Sequence, residues 1–76
     1  MNNNQHYTLM LVLSQMLLAQ KNYEQALVTI DRFARDTGVN DLAVEKVRGN
    51  SLFRLGRYAE AAPALQKAYD LDKGAD

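Results

Sequence analysis

Lys21-Asn22-Tyr23-Glu24-Gln25-Ala26 returns thirty-five residues later as Gly56-Arg57-Tyr58-Ala59-Glu60-Ala61. Sliding the chain by the same offset pairs Leu17 with Leu52, Val12 with Val47, Leu18 with Phe53 and Ile30 with Leu65. Self-similarity at a period of roughly 20–50 residues marks stacked supersecondary units, none of which buries its apolar face alone. A stack of this kind presents a surface that holds other proteins rather than a catalytic pocket.

The apolar spacing predicts an all-α fold of four helices in two hairpins; no segment keeps the apolar–polar alternation of a strand. The first helix is expected over about 7–20, with Leu9, Met10, Leu13, Met16 and Leu17 on its core face. Leu11, Val12 and Leu18 widen the apolar surface around the cylinder, and such a helix expects neighbours on most sides. Asn22 is expected to cap the second helix, with Gln25 reaching back to complete a capping box. Ala26, Leu27, Ile30 and Phe33 then face the core. The helix should stop near Asp36, where Gly38 is free to turn left-handed.

Asn40 or Asp41 is expected to cap a third helix running to about residue 55, with Val44, Val47, Leu52 and Leu55 inward and Gly56 ending it. The fourth spans about 59–71, with Ala61, Ala64, Leu65, Ala68 and Leu71 inward. Pro63 removes one backbone hydrogen bond near its start and should bend the first turn. Short connections make neighbouring helices antiparallel.

Seventy-six residues make one domain, 1–76, with a first unit over about 7–40 and a second over about 41–75. Nine Lys and Arg balance nine Asp and Glu, so no net field draws the chain to nucleic acid or an anionic membrane. Cysteine is absent and His6 is the sole histidine, which leaves zinc no ligand set. Asp70, Asp72, Gly74 and Asp76 have the wrong order for a calcium loop and read as a solvated helix end. Ser14 and Ser51 have no histidine in register as a base, and no Gly-Lys-Ser/Thr follows Gly49 or Gly56. The apolar run 9–19 has no basic residue before it and is too short to span a bilayer. The expectation is a protein that is not an enzyme, with no cofactor, no metal, no nucleic acid and no membrane.

At these residues the chain resembles the tetratricopeptide repeat, whose pattern is W-x2-L-G-x2-Y, then A-x3-F, then P. In the second copy Gly49 sits at the glycine, Leu52 at the aromatic, and Ala61 and Leu65 at the A-x3-F pair. In the first copy Met10, Leu13, Ser14, Leu17, Ala26 and Ile30 fill the matching places. Ser14, Gly49, Ala26 and Ala61 are small enough to let helices approach closely. Glu45 and Arg48 stand where the second copy should carry Trp and Leu, and are expected to pair along the helix for roughly 0.2–0.5 kcal/mol. Lys73 replaces the terminal proline, and the period is one residue too long, with the extra residue placed near 37–41.

The resemblance implies a fragment of an α-solenoid whose hairpins stack side by side. It implies that the first helix of each repeat lines a concave groove. By position those residues are Thr8, Leu11, Gln15, Leu18 and Ala19, then Ala43, Lys46, Asn50, Phe53 and Arg54. Lys46, Asn50 and Arg54 lie four apart on one face. Repeat proteins that bind the tails of heat-shock chaperones hold a carboxylate with a similar Lys and Asn, so this row is a candidate carboxylate site. Leu11, Gln15 and Leu18 favour an apolar or helical ligand. The function implied is a protein-binding module with a protein or peptide as partner. Two alternatives are a self-associating element that uses the apolar first helix, and a small chaperone masking a partner's helix. At least about three repeats are needed for a continuous core, so the chain is expected to be a piece of a longer array or to associate.

Overall fold

Residues 20–22 and 55–57 form the same turn. The amide of Asn22 donates to the Leu17 carbonyl (2.8 Å) and that of Lys21 to the Leu18 carbonyl (3.0 Å). Thirty-five residues on, Arg57 donates to Leu52 (2.9 Å) and Gly56 to Phe53 (3.0 Å). This crossed pair of bonds is the Schellman C-cap, which satisfies carbonyls left over at a helix end. Its left-handed position is held by Gly56 at φ 80° in the second turn, but by Lys21 at φ 64° in the first. A Cβ in that region costs about 1 kcal/mol, so the first turn is the more strained copy.

The computed structural model describes residues 3–74. The turns divide them into α1 (Asn3–Ala19), α2 (Tyr23–Thr37), α3 (Leu42–Arg54) and α4 (Tyr58–Gly74), with no strand among the described residues. α1 packs on α2 and α3 on α4. α2 carries the seam between the two hairpins by packing on α3; α1 meets α3 lightly, and α4 packs on α3 alone. Residues 38–41 link α2 to α3. There Gly38 ends α2 at φ 74°, and the Thr37 hydroxyl donates to the Phe33 carbonyl (2.7 Å) while accepting from the Val39 amide (3.1 Å). Asp41 caps α3, its carboxylate accepting from the Val44 amide at 3.2 Å. Asn22 occupies the cap position of α2 but makes no side-chain cap bond, so the expected capping box does not form. Its backbone is already committed to the Schellman turn.

The core comprises Ala26, Leu27, Ile30, Phe33 and Ala34 of α2, Val44, Val47 and Leu52 of α3, and Ala61 of α4. The expected core face of α1 is corrected. Leu9, Leu13 and Met16 are exposed, whereas Tyr7, Met10, Leu11, Leu17 and Leu18 pack on the core around a fully buried Ser14. α1 is apolar nearly all round, so periodicity alone does not choose a side. The small Ser14, its hydroxyl returned to the Leu11 carbonyl at 2.7 Å, marks the side where another helix comes close. Leu71 is also exposed rather than inward. α4 is longer than α3, and counting back from the turn brings Leu71 level with the first residue of α3, where cover ends. α4 runs through Pro63, which lies on its exposed side.

Two contacts set the packing of α3. A Cβ on Gly49 would lie 2.7 Å from Leu65 Cδ2 and 3.2 Å from the Leu65 backbone nitrogen, so only glycine permits this approach of α3 to α4. On the other flank, Glu45 is 2 % exposed. It accepts from Arg48 Nη1 at 2.7 Å, and Arg48 Nε donates across the seam to Asp31 Oδ1 on α2 at 2.8 Å. The pairing of Glu45 with Arg48 along α3 therefore forms, but it is not the surface pair its spacing suggests. It fills the missing apolar anchors with a partly buried ionic link between the hairpins.

Three substitutions test this account by thermal melting. Arg48→Ala strands a buried carboxylate and should cost about 2–3 kcal/mol, less than the full penalty of a deeply buried pair because Arg48 stays partly wet. Gly49→Ala should cost about 1–2 kcal/mol even though alanine is the better helix former. Lys21→Gly should instead stabilise by about 0.5–1 kcal/mol. In a domain of this size each kcal/mol moves Tm by roughly 4–8 °C.

Candidate functional site

Where α1 and α3 diverge, Gln15 and Leu18 face Ala43, Lys46 and Asn50 across a concave cavity of about 520 Å³. Leu42 and Val47 add apolar wall, and Asp41 closes one end. The local reasons are those of the fold. The Asp41 cap fixes the first turn of α3, which puts Leu42 and Ala43 at the rim and Lys46 one turn further along. Leu18 is half-buried, packed against the core on one side and open to the cavity on the other.

The groove residues expected from position are only partly gathered here. Gln15, Leu18, Lys46 and Asn50 share the cavity. Leu11 lies instead in a second hollow of about 550 Å³ with Tyr7, Phe33, Thr37 and Val39. Phe53 is exposed and packs edge-on against Tyr58, ring centroids 5.4 Å apart at 64°. Arg54 continues the row of Lys46 and Asn50 along α3 but lines no part of the cavity. Position within a repeat assigns a residue to a helix face; it does not say how far along the helix the neighbouring helix still forms a wall. Asp41, read in sequence as a cap, has a second place in the cavity wall that its N-cap geometry accounts for.

The polar groups are unevenly committed. Among the described residues Lys46 has no ion-pair partner within reach, and neither does Arg54. The Asn50 amide donates to the Lys46 carbonyl at 2.8 Å, which ties its side chain to its own helix. Asp41 spends one carboxylate oxygen on the cap. The cavity thus offers an apolar wall, one uncommitted ammonium group and one acidic end. Among the described residues no three side chains gather as a metal site, and no helix is long and apolar enough to cross a membrane. His6 is an exposed residue of α1, and Asp70 accepts from Gln66 Nε2 at 3.0 Å on the surface of α4; Asp76 lies outside the described residues.

The clear titration shifts lie away from the cavity. A two-pronged hydrogen bond from Arg57 (Nε to Glu60 Oε2 2.6 Å, Nη2 to Oε1 3.0 Å) holds the Glu60 carboxyl below the usual range, and the same bond raises Arg57. Both are exposed, Arg57 just before α4 and Glu60 on its first turn, where a carboxylate also favours the helix N-terminus. They steady a helix end and build no site.

One hairpin combines a close-approach glycine, a Schellman turn and an A-x3-hydrophobic spacing, and it is joined to a second hairpin with the same turn. Residues 46–75 match the family model for the tetratricopeptide repeat. Residues 46–75 form a tetratricopeptide-like repeat. No curated protein and no solved structure matches the chain. Tetratricopeptide repeats mediate protein–protein interaction, and the match supports an interaction role in those general terms. The matched segment begins at Lys46, inside α3, after the Glu45 that departs from the family pattern.

Because the folded pKa of Glu60 is depressed, the stability it contributes is present above the ordinary carboxylate range and is lost as pH falls through the depressed value. Glu60→Gln should therefore melt slightly below the parent near neutrality. The gap should close in acid, once the pH has fallen through the depressed carboxyl's range, which melts at neutral and acid pH would read.

Proposed function

We propose that residues 1–76 act as one binding module of two repeats, about 7–40 and 41–75, whose cavity between α1 and α3 takes a peptide or helical segment of another protein. The observation that carries this reading is the meeting of Gln15 and Leu18 with Ala43, Lys46 and Asn50 around one concave space. An apolar side chain of the ligand packs on Leu18, Ala43 and Val47, and a carboxylate nearby pairs with the uncommitted Lys46. The wall is built on helices set by the seam and by a cap, so it is formed before the ligand arrives, and little ordering is left to the module. Asp41 at one end repels a second carboxylate and so orients an acidic ligand toward Lys46. Phe53 and Arg54 extend the contact surface along α3 for a longer ligand.

Fluorescence anisotropy with two labelled peptides tests it, one extended and acidic-tailed with an apolar residue near its carboxylate, one an apolar amphipathic helix. Ala43→Arg fills the cavity from its rim and should abolish binding of either. Lys46→Ala should weaken the acidic peptide by about three- to tenfold and leave the helical one unchanged. Affinities untouched by Ala43→Arg would place any binding elsewhere and end the proposal.

A further inference from the structure

The seam between the hairpins is built from two half-surfaces, and each half-surface has a counterpart left open on an outer helix of the described residues, α4 or α1. α2 is covered by α1 and α3, whereas α4 is covered by α3 alone. Positions thirty-five apart show the consequence. Ala34 is 7 % exposed and its counterpart Tyr69 62 %; Leu27 is buried and its counterpart Ala62 exposed; Tyr23 is half-buried and Tyr58 exposed. The opposite half behaves alike. Val44 and Ser51, buried at 0 % beneath the first hairpin, correspond to Leu9 at 66 % and Met16 at 53 %. Val47, also buried, corresponds to the exposed Val12.

The two open halves complement each other in bulk and charge. At the seam, α2 brings the large Leu27 and α3 the small Ser51. At the ends, α4 brings the small Ala62 and α1 the large Met16. The ionic link of the seam, Asp31 to Arg48 to Glu45, has the counterparts Gln66, Leu13 and Met10. None of these three is charged, so joining the ends would strand no ion in an apolar contact. One face shows a stripe of Leu9, Val12 and Met16, the other an aromatic surface of Tyr58 and Tyr69.

From this correspondence we infer that a second copy of the chain docks head to tail, its α1 lying on α4 of the first as α3 lies on α2 within one molecule. The faces are separate from the cavity between α1 and α3, and this inference goes beyond the binding reading without depending on it. The contact is heterologous, with different surfaces on the two partners, so it leaves a free face at each end and continues into longer assemblies. Burying Leu9 and Met16 against the α4 surface removes large apolar side chains from water, the same driving force that closes the seam.

Sedimentation of the full chain from about 10 µM to about 1 mM should show mass rising past the dimer with concentration. Met16→Glu spoils the α1 face and Tyr69→Glu the α4 face; both positions are exposed, and circular dichroism should show that each variant keeps its helices. Each variant alone should stay monomeric. Mixed in equal amounts they should form dimers and nothing larger, because each supplies the face the other lacks. Leu9→Glu and Tyr58→Glu serve as a second pair. Ala43→Arg, which fills the cavity, should leave the assembly unchanged. A chain that is monomeric throughout, a single variant that still assembles, or a mixture that fails to pair would each overturn the inference.

Discussion

One guanidinium sets the second hairpin on the first. Arg48 reaches back along α3 to the buried Glu45 and across the seam to Asp31 on α2. A carboxylate buried at that position is tolerable only while the guanidinium is there, because an unpaired buried charge costs several kcal/mol. The arrangement is directional, unlike an apolar contact, so it fixes how far α3 slides along α2. The cavity inherits that choice. Its walls belong to α1 and α3, which touch only lightly, and both are held in place through α2. On its other flank α3 is fixed by the absence of a side chain at Gly49.

How much of this was legible in the residues depends on whether a local rule or a competition decides each feature. The turns, Gly38, the Asp41 cap and the inward faces of α2 and α3 follow from local chemistry, and the sequence reading places them well. α1 is the counter-case. Its apolar residues cover most of the cylinder, so the buried side is set by where the other helices lie, and Leu9, Leu13 and Met16 fall outside. The Asn22 cap fails for a related reason, since a Schellman turn already occupies that segment. The pairing of Glu45 with Arg48 is readable from spacing, but its burial depends on Asp31, which is seventeen residues away and on another helix. The groove shows the same limit: Gln15, Leu18, Lys46 and Asn50 meet, whereas Leu11 lines a second hollow and Phe53 and Arg54 line neither.

The module thus has two kinds of unused surface, with different chemistry. The concave space between α1 and α3 is mixed, apolar with a free ammonium and an acidic end, and is the one proposed to take a segment of another protein. The outer faces of α1 and α4 are apolar or aromatic and are the ones inferred to meet on a second copy. Stability and recognition draw on the same residues here. Leu18 serves the core and the cavity at once, and Tyr23 is partly covered where its counterpart Tyr58 is open.

The contrast between Arg48 and its counterpart Leu13 carries a consequence for behaviour in different media. Dissolved ions screen attraction between the carboxylates and the guanidinium, least where water is excluded and most on the Asp31 side. Strongly hydrated anions such as sulfate, excluded from protein surfaces, favour any contact that hides hydrocarbon. Raising ionic strength with such a salt therefore loosens the charged tie inside one molecule while promoting the greasy meeting of its two extremities. A single solvent variable thus pushes the Arg48 ion pairs and the proposed contact between chains in opposite directions, while it favours the apolar core.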